Sequence, residues 1–133
     1  MRVVLDANVL IAAYAARGLC EAVLEHCIST AELFLTEEIL GDVREKLIRK
    51  IKLPRHDTDK IIEFLRLYTT IIKSERVPVS ACRDPDDVNI LGAAQAANAD
   101  YLVTGDDDLL VLKKFGATRI VNPRSYWEEQ RIK

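Results

Sequence analysis

The sequence predicts an α/β fold, a three-layer α/β/α sandwich around a central parallel sheet of four or five strands. Short apolar runs at Val3-Val4-Leu5, Leu33-Phe34-Leu35, Tyr101-Leu102-Val103 and Arg119-Ile120-Val121 read as strands buried on both faces. Longer stretches with apolar residues at helical spacing separate them, and such alternation implies right-handed parallel crossovers. A length of 133 residues with 49% hydrophobic content suits one domain, 1–133, with a core of its own.

The first strand is expected over Arg2–Leu5. A helix over 8–17 follows, stopped by Gly18, and a second covers 19–30. Leu33-Phe34-Leu35 is a short strand, and Thr36 stands as an N-cap behind it. The next helix, over 37–52, carries an apolar stripe at Leu40, Val43, Leu47 and Ile51 and ends before Pro54. A helix over 57–70 turns Ile61, Phe64, Leu65 and Tyr68 inward. A short strand is expected near Ile71 or over 77–79. Asp84-Pro85 opens an Ala-rich helix reaching about Asn98, with Pro at its first position and Gly92 allowing close packing. The strand at Tyr101–Val103 leads into a Gly105 turn. A short helix over 107–115, the last strand and a closing helix over 123–131 complete the chain.

The bulk properties exclude some classes. No apolar run approaches the roughly 20 residues of a membrane helix. The N-terminus lacks the apolar stretch of a signal peptide, so a cytoplasmic protein is expected, with no membrane partner. Cys20 and Cys27 fall two turns apart on one helix, too far for a disulfide, and Cys82 stands alone. A net charge of −2 lacks the basic footprint of a protein that binds nucleic acid by charge alone. Aromatics at 6% are too sparse for a base-stacking platform.

The informative residues are carboxylates. In a parallel sheet, sites form beyond the carboxyl ends of the strands. Asp6 directly follows the first strand, and Asp106 follows the fourth in Thr104-Gly105-Asp106-Asp107-Asp108. Asp42 and Glu45 share a face of the helix after the second strand. Asp84, Asp86 and Asp87 crowd the start of another helix. Acids brought together repel one another unless something positive compensates. Oxygen ligands without His or Cys suit a hard cation, Mg²⁺ or Mn²⁺, which activates water toward a phosphodiester.

Each acid also has a plainer role. Asp84, Asp86 and Asp107 sit at helix starts, where carboxylates cap amides, and this reading is preferred for Asp86, Asp107, Glu37 and Glu38. Glu45 can pair with Arg49, four residues on. Asp6 resists such a reading, because an acid ending a buried strand is costly without a partner.

These segments carry a family likeness. Leu5-Asp6-Ala7-Asn8-Val9-Leu10-Ile11 resembles the opening motif of PIN domains. Thr36 through Asp42-Val43 resembles the segment supplying the family's second acid. Asp84-Pro85-Asp86-Asp87, with Ile90 and Ala94, is similar to the third-acid helix. Ala99-Asp100-Tyr101-Leu102-Val103-Thr104-Gly105-Asp106 looks like the fourth-acid segment. Within the family the likeness is greatest to VapC-like toxin components of toxin–antitoxin pairs.

The resemblance implies a Mg²⁺- or Mn²⁺-dependent endoribonuclease acting on RNA, a homodimer and a cognate antitoxin. It assigns metal binding and catalysis to Asp6, Asp42, Asp87 and Asp106. The second position usually carries Glu, so Glu45 is an alternative or an assistant to the shorter Asp42. Asn8, Thr104, Asp84 and Asp108 stand as supporting polar groups.

Arg44, Arg49 and Lys52, from a basic cluster whose default is a solvated helix face, are candidates to contact RNA. The alternatives are a catalytically weak PIN-fold module that binds RNA or protein, and an aspartyl-phosphate phosphatase. The second fits less well, because Asn8 stands where such enzymes want another Asp.

Overall fold

The computed structural model describes residues 1–132, apart from the side chains of Asp86 and Ile132. The expected capping role of Asp86 therefore lies outside what is described. Thirteen elements run in the order β1 (Arg2–Leu5), α1 (Ala7–Ala15), α2 (Leu19–Thr30), β2 (Glu32–Leu35), α3 (Glu37–Arg49), α4 (Arg55–Tyr68), β3 (Thr70–Ile71), α5 (Val88–Ala96), β4 (Tyr101–Val103), α6 (Asp107–Leu110), β5 (Lys114–Phe115), β6 (Thr118–Val121) and α7 (Pro123–Ile132).

The sheet has the order β3-β2-β1-β4-β6-β5. Five strands are parallel, the upper of the expected numbers, and β5 adds a sixth, antiparallel to β6. This edge corrects the expected helix over 107–115. That helix stops at Leu110; Lys113, with φ +63°, lies outside the helical region, and Gly116, with φ +59°, turns the chain back into a hairpin.

Chain direction across the sheet fixes the layers. From β1 through β2 to β3 the chain moves toward one edge, and right-handed crossovers put α1 to α4 on one face. The return to β4 and β6 reverses direction and puts α5 and α6 on the other. The reversal lies between β1 and β4, which pair directly with Leu5 opposite Val103. A crevice at the carboxyl ends of these two strands is the usual ligand position of such sheets.

Burial follows the strand pattern. Val3, Val4, Leu5, Leu35, Leu102 and Val103 are fully buried, and Leu40, Val43 and Leu47 bring α3 onto them. Thr36 caps α3, its Oγ1 accepting from Ile39 N at 3.2 Å. Several boundaries differ from expectation. Helix α1 ends at Ala15, and Gly18 instead stands at the N-cap of α2. Helix α3 stops at Arg49, leaving Ile51 exposed, and Pro54 is the N-cap of α4 rather than a mere terminator. The third strand lies at Thr70–Ile71, while Val79–Ala81 forms a single 3₁₀ turn. A second 3₁₀ turn at Pro85–Asp87 precedes α5, so the expected helix from Asp84 starts only at Val88.

Helix α4 carries the largest departure. Leu65 is buried, yet Phe64 is 41% exposed, Tyr68 54% and Leu67 76%. The periodicity identified an apolar face, but this chain covers it only in part. Among the described residues no single helix is long and apolar enough to cross a membrane.

Candidate metal centre

The register of β1 on β4 places Asp6 beside Thr104. Asp6 N donates to Val103 O at 2.9 Å, and buried Thr104 donates its Oγ1 proton to Asp6 Oδ2 at 2.7 Å. Asp6 also caps α1, its Oδ1 accepting from Ala7 N at 2.7 Å. Thr104 Oγ1 in turn accepts from Asp106 N at 3.0 Å, and Asp106 Oδ1 accepts from Asp108 N at 2.9 Å. Asn8 closes the loop: its Oδ1 accepts from Gly105 N at 3.2 Å, and its Nδ2 lies 3.4 Å from Asp6 Oδ2. One hydroxyl and one amide thus fix the acid after β1 against the acid after β4.

Asp87 behaves differently. It occupies the N-cap position of α5 but makes no side-chain capping bond. Its Oδ2 is buried without a hydrogen-bond partner. The neighbouring Asp106 is another carboxylate, and an ionised carboxylate has no proton to donate. Burial, then Asp106, then Asp84 and Asp6 push the Asp87 carboxyl up to about 7. Burial also raises the Asp6 carboxyl above its usual range, against the bonds from Thr104 and Ala7, with Asp106 and Asp42 adding to the rise. Partly buried carboxylates crowding one another in this way are frequent at functional sites.

Asp6, Asp42 and Asp87 line a cleft of ≈ 110 Å³ together with Thr36, Glu38 and Asn89. Asp106 joins through its action on Asp87 and Asp6. The four acids expected to converge therefore do so. Beside them, oxygens of Asp84, Asp87 and Asp108 lie within 4.8 Å of one another, a spacing that a cation can bridge. Asp87 belongs to both groups. Asp108 also accepts from Arg83, with Nε at 2.9 Å.

Other expected residues lie elsewhere. Glu45 turns to Arg49 at 2.8 Å and does not line the cleft, so Asp42 is the acid that α3 presents there. Arg44 pairs with Asp59 of α4 at 3.0 Å, and Lys52 follows α3 with φ +65°. Arg44, Arg49 and Lys52 are all outside the cleft lining.

Sequence reasoning missed Glu38 and Asn89. Glu37 and Glu38 both stand in the first turn of α3, as expected of helix-start acids, but Glu37 also holds Arg66 through two bonds of 2.7 Å and Glu38 also lines the cleft. Glu38 stands four residues before Asp42, on the same helical face, and that spacing was the available signal. Asn89 stands two residues after Asp87.

A donor set of carboxylates with one amide, and with an orphaned buried oxygen among them, fits a hard divalent cation. Among known proteins, the family model described as PIN domain matches residues 2–108. No curated protein matches the chain. A chain of the VapBC2 crystal structure from Rickettsia felis, bound to a DNA fragment from their promoter, is similar in fold. Its TM-score is 0.65 at 15% identity, over 92% of this chain and 98% of that one.

Proposed function

Because the chain belongs to the PIN-domain family, we propose that it is a Mg²⁺- or Mn²⁺-dependent endoribonuclease, the toxin of a VapC-like toxin–antitoxin pair. The observation that carries the reading is Asp87, a half-buried acid that declines to cap its own helix and faces other acids with one buried oxygen unpartnered. Structural carboxylates take donors, and this one is arranged for a cation.

Asp6, Asp42, Asp87 and Asp106 are assigned as the ligands. A divalent cation held by them supplies the charge that draws in a phosphodiester and acidifies the attacking water. Asp6 keeps a lone pair on Oδ1 for that task, since a carboxylate offers about four and the bonds from Ala7, Thr104 and Asn8 take three. Thr104 and Asn8 act as positioning residues, holding Asp6 and the Gly105 turn in register. Glu38, Asp84 and Asp108 add negative charge around the centre and strengthen its preference for a cation. Arg44, Arg49 and Lys52 are assigned to RNA beyond the cleft.

The exposed Phe64, Leu67 and Tyr68 of α4 support a homodimer, since two-fold pairing is the commonest way to cover such a face. The cognate antitoxin is the second proposed partner, and the cytoplasm the proposed location.

The test is cleavage of labelled single-stranded RNA by the purified chain in EDTA, Mg²⁺ or Mn²⁺. Cleavage is expected with either metal and not with EDTA. An inert protein in millimolar Mn²⁺, or equal cleavage in EDTA, overturns the reading. The toxin assignment is tested by induced expression, which should arrest growth unless Asp6→Asn is present.

A further inference from the structure

A second groove lies beside the carboxylate cleft. It encloses ≈ 420 Å³ and is lined by Glu37, Glu38, Ile72, Lys73, Ser74 and Asn89. Glu38 and Asn89 are walls of both spaces, so the groove and the cleft adjoin. Its far wall is the strap that leaves β3.

The strap is clamped on both sides of Lys73. Ile72 N donates to Leu35 O at 2.9 Å, prolonging the sheet. Ser74 Oγ donates to Asn89 O at 2.8 Å, on α5. Glu75 N donates to Gly92 O at 3.1 Å, and Gln95 Nε2 donates to Glu75 Oε2 at 2.9 Å. The approach at Gly92 is so close that a Cβ there would lie 2.2 Å from Glu75 O. Lys73 therefore has a fixed backbone between two anchored neighbours. Its side chain is exposed, with no ion pair among the described residues.

The charges in the groove are not equivalent. Glu37 is neutralised by its two bonds to Arg66, which hold its carboxyl below the usual range. Glu38 borders the cation cleft. Lys73 is the cation left to meet an anion. Ile72 offers an apolar wall, and the exposed Asn89 offers an amide that can both donate and accept. A cation, an apolar wall and an amide together match the phosphate, face and edge of an unpaired nucleotide.

We propose that this groove is a subsite for a nucleotide of single-stranded RNA next to the scissile phosphate, with Lys73 Nζ on its phosphate and Asn89 on its base edge. The proposal rests on the ribonuclease reading and adds to it the path of the strand, along the β2–β3 side of the carboxylates. Neither Lys73 nor Asn89 stands out in the sequence, because nothing in their spacing links them to the acids.

The test is fluorescence anisotropy of a labelled single-stranded oligoribonucleotide with the full chain in Ca²⁺, over a range of salt. Wild type is compared with Lys73→Ala and Lys73→Arg. Loss of one charge-assisted phosphate contact should weaken binding about tenfold. It should also flatten the salt slope by about 0.7, the value for one contact on a single strand. Lys73→Arg should restore most of both. Unchanged affinity and slope in Lys73→Ala overturn the proposal, as does equal loss in the Ala and Arg variants. Cleavage by wild type in Mn²⁺ is read in parallel. RNA binding that depends on Lys73 without cleavage sinks the nuclease reading and leaves the subsite standing. Absence of any RNA binding by wild type sinks the subsite.

Discussion

Two clusters of buried polar side chains in this molecule differ in whether they close on themselves. At the junction of α2, α7 and β4, the buried Tyr126 hydroxyl accepts from Cys27 Sγ at 3.4 Å and lies 3.3 Å from His26 Nδ1. Tyr101 packs edge-on against the Tyr126 ring at 5.3 Å and donates its own hydroxyl proton to Glu129 at 3.2 Å. Burial pushes the Cys27 thiol up to about 11 and the Tyr126 hydroxyl higher still, so both keep their protons. At the carboxyl ends of β1 and β4, burial raises acids in the same way, yet Asp87 Oδ2 stays without a partner. Thiols and hydroxyls donate as well as accept, whereas carboxylates only accept once ionised. The first cluster is therefore complete with protein atoms alone, and the second leaves a buried acceptor that protein atoms do not satisfy.

Breaking the open cluster should have the largest effect on activity. Asp6→Asn is expected to reduce Mn²⁺-dependent cleavage by more than about 100-fold, since even outer-shell partners of metal ligands are worth 10- to 100-fold. Its melting temperature without metal should not fall, because the change removes repulsion. Near-normal cleavage by this variant would erase the distinction between the clusters.

Breaking the closed cluster should do the reverse. Tyr126→Ala leaves a large cavity and should cost about 3–5 kcal/mol of stability, the range for large aromatic truncations. The folded fraction should cleave RNA normally. Denaturant melts paired with activity per folded molecule would decide this, and lost cleavage in fully folded Tyr126→Ala would show that the clusters are coupled.

A finer comparison lies along α3. Asp42 lines the cleft and Glu45 is spent on Arg49. Asp42→Asn should lower cleavage at saturating Mn²⁺ about tenfold or more. Glu45→Gln should change it less than about twofold, because an exposed ion pair contributes little. The opposite order would make Glu45 the second acid, and equal mild losses would remove α3 from the centre.

The smallest expected effect is a pH dependence of stability without metal. The Asp87 carboxyl stands near 7 in the fold against an ordinary value of 3.8. The fold then binds a proton that the unfolded chain has released. That contribution is fully present below about pH 4 and is lost as pH rises through 7. Asp6 is shifted in the same direction. Thermal melts in EDTA should decline over this window more steeply for wild type than for Asp87→Asn, and Mn²⁺ should offset the decline. Parallel curves for the two proteins would count against an uncompensated Asp87.

What was legible in the sequence follows the same division. Strands β1 and β4 and helix α2 lie where alternation and composition put them, because strands buried on both faces leave a continuous apolar signature. Asp6 was legible for the complementary reason, as a charge where that signature ends. The exposure of Phe64 and Tyr68 was not legible, since helical spacing defines a face and not what covers it. The β5–β6 hairpin was hidden by a helix start at Asp107 that runs on in polarity but not in structure. Glu38 escaped because an acid in a first turn already has a sufficient local explanation.

The Thr104–Asp6 bond spans 98 residues of chain. Strand β1 sits in the middle of the sheet and cannot be flanked on both sides until β4, far later in the chain, has been made. Its pairing with β4 is as non-local as almost any contact in the molecule, and contacts of that kind form late. No nascent intermediate that stops short of β4 can hold Asp6 in register with Asp106. Topology alone thus orders assembly during synthesis: the helices before β4 can form early, and the carboxylate centre comes together only once β4 is in place.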